Sequence, residues 1–310
     1  MKLRYPAKRL LMLLLLLTVL PGFGFGLIVF RACPKWVPAE LNPEIRKKPE
    51  NPYVNPAGMI QSARILPPDG FERIPASDDS FLAFMRRQSL YPDGASVCTY
   101  LGENLPGAHA AAVYELSVGS EGYQQCADSI IRLWSEYFFS TGQTDRIAFS
   151  LTNGYKTDYE SWRAGKRVIA FGNAAWSMKL AKYDDSVQQF HNYLMTVMRY
   201  AGTRSLEAES KPIRAKDARA GDLLVNGGTP GHAAVIVDEA VNAEGDRCYL
   251  LAQGFMPAQN CHIITGAGDA NNPWYTEEQL SGDPVLVSSY PFNGEALRRW
   301  KEGFPNSAEK

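Results

Sequence analysis

Residues 219–253 read RAGDLLVNGGTPGHAAVIVDEAVNAEGDRCYLLAQ. Three short runs in this stretch are rich in β-forming residues: Asp222–Val225, Ala233–Asp238 and Arg247–Gln253. Turns separate them, and the first turn holds Gly227, Gly228, Pro230 and Gly231. Short β-rich runs bounded by such residues predict consecutive antiparallel strands. Upstream, Ala127, Ile130, Ile131, Trp134, Tyr137 and Phe138 recur at helical spacing, which predicts an amphipathic helix opening near Cys126. Ser96–Tyr100, Ala111–Leu116 and residues 145–151 read as short strands. A second helix, capped at Asp184 or Asp185, runs to about Tyr200 and is closed by Gly202. Helices followed by a run of antiparallel strands give an α+β class.

The same stretch carries the candidate chemistry. A helix N-terminus lowers the pKa of a nearby thiol, and Cys126 lies at the start of the predicted helix. His232 sits at a strand mouth after a glycine-rich turn. A hairpin centred between Asn242 and Ala243 sets Gln253 directly opposite His232, on one face of the sheet. A side-chain amide beside an imidazole fixes its tautomer, the third role in a Cys-His-amide arrangement. The catalytic candidates are therefore Cys126, His232 and Gln253. Gln124 or Gln125 is a candidate oxyanion donor. Asp128 stands in the first turn and at ion-pair spacing from Arg132. Trp274 and Tyr275 are candidates for lining a substrate groove, and Asp222 reads as a structural acid at a strand turn. His109, His191 and His262 read as surface or polar-core residues. A second hairpin around Gly254-Phe255 sets Cys248 opposite Cys261, close enough to bridge. The alternative is two unpaired cross-strand thiols. No cofactor is implied. Nor is a metal site, for the chain has no CxxC, HxxxH or HExxH pattern.

The order of elements resembles the papain-like hydrolases of bacterial envelopes: a cysteine opening a helix, a Gly-Asp strand, a Gly-His strand, then a strand with a polar residue. These are the NlpC-type peptidases and CHAP amidases, which cut peptidoglycan peptides or amides. That resemblance implies Cys126 as nucleophile, His232 as base and Gln253 as orienting residue. Cys126 and His232 are 106 residues apart, which requires a helical insertion around 155–215. The strings QQCADSIIRLWSEY, YAGTRSL, GGTPGHAAVIVD and LAQGFMPAQ resemble the bacterial family labelled domain of unknown function 4846, over most of residues 60–300. Membership implies envelope location and little chemistry.

The N-terminus bears on place. Lys2, Arg4, Lys8 and Arg9 precede the run LLMLLLLLTVL at 10–20, and Leu10–Phe30 is 21 residues. A basic start and an apolar run predict a signal peptide or membrane anchor over 1–33, with the body beyond the cytoplasmic membrane. Cys33 offers a lipid-anchor alternative. Six prolines in 34–60 predict a semi-rigid tether, and 61–310 a single domain. The 310 residues carry 32 Lys and Arg against 33 Asp and Glu, a net charge of -1. Without a basic cluster in the body, nucleic acid is not an expected partner. The expectation is an exported or membrane-tethered cysteine hydrolase acting on an envelope amide such as a peptidoglycan peptide. The alternative is an inactive envelope module of the same fold that binds peptidoglycan or a partner.

Overall fold

A computed structural model describes residues 51–266 and 268–301. The leader at 1–33, with Cys33, and most of the tether lie outside the described residues. Among the described residues no helix is long and apolar enough to cross a membrane.

Helices α1 (Gln61–Arg64) and α2 (Phe81–Arg86) flank strand β1 (Phe71–Arg73), and β2 (Ala110–Val113) precedes α3 (Cys126–Ser140). An excursion follows. It runs through β3 (Ala148–Ser150), β4 (Lys156–Asp158), α4 (Tyr159–Arg163), β5 (Lys166–Phe171), β6 (Ala174–Lys179), α5 (Val187–Tyr200) and α6 (Thr203–Ala208) to β7 (Ser210–Pro212). Then come β8 (Leu223–Asn226), β9 (His232–Asn242), β10 (Arg247–Gln253) and β11 (His262–Ile264). The chain continues through β12 (Trp274–Thr276), α7 (Glu277–Leu280), β13 (Val285–Val287), β14 (Tyr290–Phe292) and β15 (Leu297–Trp300).

The class is α+β with an antiparallel sheet, as expected. Nine strands form the main sheet in the order β2-β11-β10-β9-β8-β15-β7, with β1 added to β9 and β12 to β10. Its side chains alternate with period two. Ala233, Val235 and Val237 join the core made with Ile130, Trp134 and Phe138 of α3. Ala234 and Ile236 join a second core with Leu280, Val285 and Phe292. Both faces are covered, so His232–Ala240 is buried throughout.

Several expectations need correction. The excursion is not purely helical, because two separate two-stranded ribbons, β3-β4 and β5-β6, share it with the helices. Residues 96–100 form isolated bridges at Cys98 and Thr99, not a strand. The long second helix is capped by Ser186, whose hydroxyl accepts from the Gln189 N–H. The body begins before Ile60: Val54 is buried and bridges to Ile65.

The β9–β10 register differs most. The turn closes over Ala243–Gly245, with the Asn242 N–H donating to the Asp246 carbonyl, and Cys248 pairs with Ala240. Between Leu250 and Leu251 the register shifts by one residue, leaving Val237 as the extra residue on β9. Its carbonyl accepts from the buried amide Nε2 of Gln61 at 2.9 Å. That amide's Oε1 accepts from the Tyr114 hydroxyl at 2.7 Å. A bulge with its freed carbonyl so matched costs little. Cys248 and Cys261 do not bridge. Both are free and buried, because β11 pairs Gln253 with His262, a register that sets Cys261 six positions from Cys248. Among the described residues, it is Cys98 that is held in a disulfide.

Candidate functional site

Beyond the bulge, Leu251 pairs with Ile236 and Ala252 with Val235. This register puts Gln253 across from Ala234, diagonal to His232 but on the same face. The bulge decides that face. If Val237 were instead taken into the ladder, the pairing would set Gln253 opposite Val235 and turn it away from His232, since a one-residue slip exchanges the faces. The contact that results is short: His232 Nε2 and Gln253 Oε1 are 2.7 Å apart.

A second histidine extends the chain of contacts. Gln253 Nε2 lies 3.4 Å from His262 Nε2, and His262 Nδ1 lies 3.0 Å from the Asn260 carbonyl. A carbonyl only accepts, so His262 carries its proton on Nδ1 and accepts at Nε2. Gln253 then donates to His262 and accepts from His232, whose proton is thereby held on Nε2. Nδ1 of His232 is left as the basic nitrogen. Burial pushes His262 down to about 4, against the hydrogen bonds to Asn260 and Ala108. Burial also lowers His232, against its bond to Gln253. Rings of Phe255, Tyr290 and Phe292 lie 4.6, 4.8 and 5.5 Å from the His232 ring and shield the His-Gln bond from water.

The turn that delivers His232 is pinned from α6. The Gly227 N–H donates to Glu207 Oε1 at 3.0 Å and the Gly228 N–H to Thr203 Oγ1 at 3.4 Å. Gly231 tolerates no side chain, since a Cβ there would meet Thr203 Oγ1 at 2.3 Å. The YAGTRSL string is thus part of the scaffold of the histidine turn. Gly254 serves the same purpose for α3. A Cβ on it would lie 2.2 Å from Ser129 Oγ and 2.9 Å from the Gln125 carbonyl, so the end of β10 abuts the first turn of the helix.

Cys126 is the first residue of α3. Burial, then Asp128, pushes its thiol up to about 11, while the amides of Ala127, Ala233 and Cys126 itself pull it down. The sulfur therefore lies beside the N–H of Ala233, one residue after His232. Strand alternation turns the imidazole to the other face, against Tyr290 and Phe292. Cys126 and His232 approach the start of β9 from its two sides, and no hydrogen bond joins them among the described residues. The expected nucleophile–base contact is not formed in this arrangement.

The oxyanion and support candidates separate. Gln125 is the cap of α3, and its backbone N–H donates to Asp128 Oδ2 at 3.1 Å. Gln124 is the buried amide: its Oε1 accepts from Arg132 Nη1 at 2.8 Å, and its Nε2 has no hydrogen-bond partner among the described residues. Asp128 is buried with Oδ1 likewise unpartnered, and burial pushes it up to about 8. Arg132 pairs with Glu136 at 3.4 Å, not with Asp128. Asp222 is structural as expected, gripped by Arg299 at 2.7 Å. Trp274 and Tyr275 are core residues, 3% and 0% exposed. Their polar tips bond the carbonyls of Leu66 and Thr265, so neither lines a groove. Among the described residues no group of three or more His, Cys, Asp or Glu could hold a metal ion.

His262 is the polar-core residue that the sequence reading allowed, but its contact with Gln253 was missed, as were Phe255, Tyr290 and Phe292. Gln253-Gly254-Phe255 held a readable signal, an aromatic two residues beyond the amide and so close to its face.

The family described as domain of unknown function 4846 matches residues 61–299. The chain belongs to this family. As a member of the 4846 family it contains the cysteine helix, the histidine turn and the glutamine strand within the matched span. No curated protein and no solved structure matches the chain.

Proposed function

We propose that this 4846-family chain is an exported or membrane-tethered cysteine hydrolase that cuts an amide in the cell envelope, such as one in a peptidoglycan peptide, on a papain-like scaffold. The observation that carries the reading is the 2.7 Å contact of His232 Nε2 with Gln253 Oε1. It leaves Nδ1 as the base, on the residue before Ala233, whose N–H lies beside the Cys126 sulfur. In the reaction the Cys126 proton passes to His232 Nδ1 and the sulfur bonds to the carbonyl carbon. The amine then leaves with that proton, and water hydrolyses the thioester. The Cys126 and Ala127 amides, which have no intrahelical acceptor in the first turn, and the unpartnered Gln124 Nε2 supply the oxyanion donors. Turnover brings the thiol and imidazole within about 3 Å as substrate binds, since such contacts often tighten only in the complex. The Cys98 disulfide supports an oxidising compartment, as do the basic start and leucine-rich run of the leader.

A second reading is a non-catalytic envelope module of the same fold. The lack of a bond between Cys126 and His232 among the described residues favours it, with a thiol only 8% exposed and held near 11. Incubation of the purified chain with muropeptides, followed by mass spectrometry, separates the two. The hydrolase reading expects products that disappear with Cys126→Ala and nearly disappear with His232→Ala, because residues acting as a unit are not additive. Ala suits a helix start, so the Cys126 variant stays folded. Products made equally by both variants would refute the Cys126–His232 mechanism, and none from the wild type together with slow alkylation of Cys126 at pH 7 would leave the binding module.

A further inference from the structure

We propose that the β5–β6 ribbon is a membrane-docking element, which lays one face on an anionic bilayer surface. Among the described strands the ribbon pairs only with itself. Its register sets Phe171 opposite Ala174, Ile169 opposite Trp176 and Arg167 opposite Met178, so Phe171, Ile169, Trp176 and Met178 share a face. That face is bare: Phe171 is 81% exposed, Met178 49% and Trp176 42%, with Leu180 beyond them at 61%. A cluster of large exposed apolar side chains marks an interaction site.

Charge selects the partner. From Lys166 to Lys182 the chain has four Lys or Arg and no acid. Arg167 is used at the base of the ribbon, where its guanidinium lies 4.2 Å over the Trp162 ring and donates to Gln189. Lys182 lies just beyond the apolar face, and Lys179, paired with Lys166 on the other face of the ribbon, reaches the same surface only round the ribbon's edge, by its long stem. A second copy would set like charge against like charge. Residues 31–50, with five Lys or Arg against three Glu, also carry the same sign. An anionic lipid surface complements it. Phe, Trp and Met are the side chains that settle at the boundary of headgroups and acyl chains. Twenty residues separate Asn51 from Phe30, the end of the leader that is expected to enter a membrane, and a stretch of that length spans at most ~66 Å when extended.

The test uses the full chain with vesicles of phosphatidylglycerol and phosphatidylcholine, or of phosphatidylcholine alone, carrying a doxyl quencher near the headgroups. Tryptophan emission is compared between the wild type and Trp176→Phe, so that the leader and the other tryptophans cancel. The difference signal should fall at least twofold with the anionic vesicles and less with the neutral ones. The pair Lys179→Glu and Lys182→Glu should remove the effect. Equal quenching in both vesicle types, or none in either, would overturn the proposal. So would shielding of Trp176 from aqueous iodide without vesicles, which would mean that a second copy or the chain's own tether covers the ribbon.

Discussion

Two buried polar clusters share β9, one near each end, and they are completed differently. Towards its C-terminal end, Asp238 is fully buried and both carboxylate oxygens are used. Oδ1 takes the Arg86 Nε at 2.8 Å and the Glu239 N–H at 2.9 Å, and Oδ2 takes the Arg73 Nε at 2.7 Å. The two guanidiniums spend their remaining donors on the carbonyls of Ile65, Ile74 and Glu239. At the N-terminal end, around Cys126, burial is nearly as deep but Gln124 Nε2 and Asp128 Oδ1 have no partner among the described residues. Asp238 itself is matched at both oxygens, although the neighbouring Glu239 Oε2 has no hydrogen-bond partner among the described residues, and unmatched buried groups call for a separate explanation. The difference supports reading the first cluster as architecture and the second as a place where something else is bound.

Asp128 should make itself felt through pH. Its carboxyl ionises near 4 when unfolded but is held up to about 8 in the fold. The native state therefore keeps a proton that the unfolded chain releases, and stability falls as pH rises from 4 to 8, by up to ~5 kcal/mol. Asp128→Asn should flatten that slope, and an unchanged slope would place the strain elsewhere. Asp238→Ala leaves two part-buried guanidiniums without their carboxylate and should cost about 3 kcal/mol in chemical denaturation; a loss below about 1 kcal/mol would deny the architectural role. His262 acts with the opposite sign to Asp128. Held near 4 against the usual 6.5, it stays neutral where the unfolded chain binds a proton, so stability falls by ~3 kcal/mol as pH drops from 6.5 to 4. His262→Asn should abolish that acid-side loss, read from denaturation midpoints at pH 7 and 4.5. Gln125→Ala is the small effect. Its backbone, not its amide, is what the site uses, so stability should move by less than about 0.5 kcal/mol, and activity less than with Gln124→Ala.

The legible parts of this fold were those written in local periodicity. The α3 stripe, the strand at 247–253 and the α+β class follow from spacings of 3.6 and 2. The His232–Gln253 contact was reached through a register that the chain does not adopt. The pairing was two residues out, an even error, so the face was right although the partner was not. What hid the true register was Val237, whose place outside the ladder depends on Gln61 and Tyr114, distant in sequence. His262 was unreadable for the same reason, since its neighbours come from a strand pairing six residues away from the one that symmetry about Gly254-Phe255 suggested. Trp274 and Tyr275 misled because an aromatic pair after a turn looks alike whether it lines a groove or fills a core.

The extra residue at Val237 also says something about how this chain can change over generations. Loss of that one codon would close β9 onto β10 with Leu250 still facing Asp238 and Leu251 still facing Ile236, so the histidine and the glutamine would keep their common face. Loss of a codon at Ala233 or Ala252 would instead carry one of the two to the opposite side of the sheet. A shorter spacing between them is therefore harmless or ruinous according to where the gap falls. The harmless case leaves its own trace. With the Val237 carbonyl gone, the amide at position 61 loses its acceptor, and a lineage that has closed the bulge has reason to replace Gln61, 176 residues upstream, in the same step.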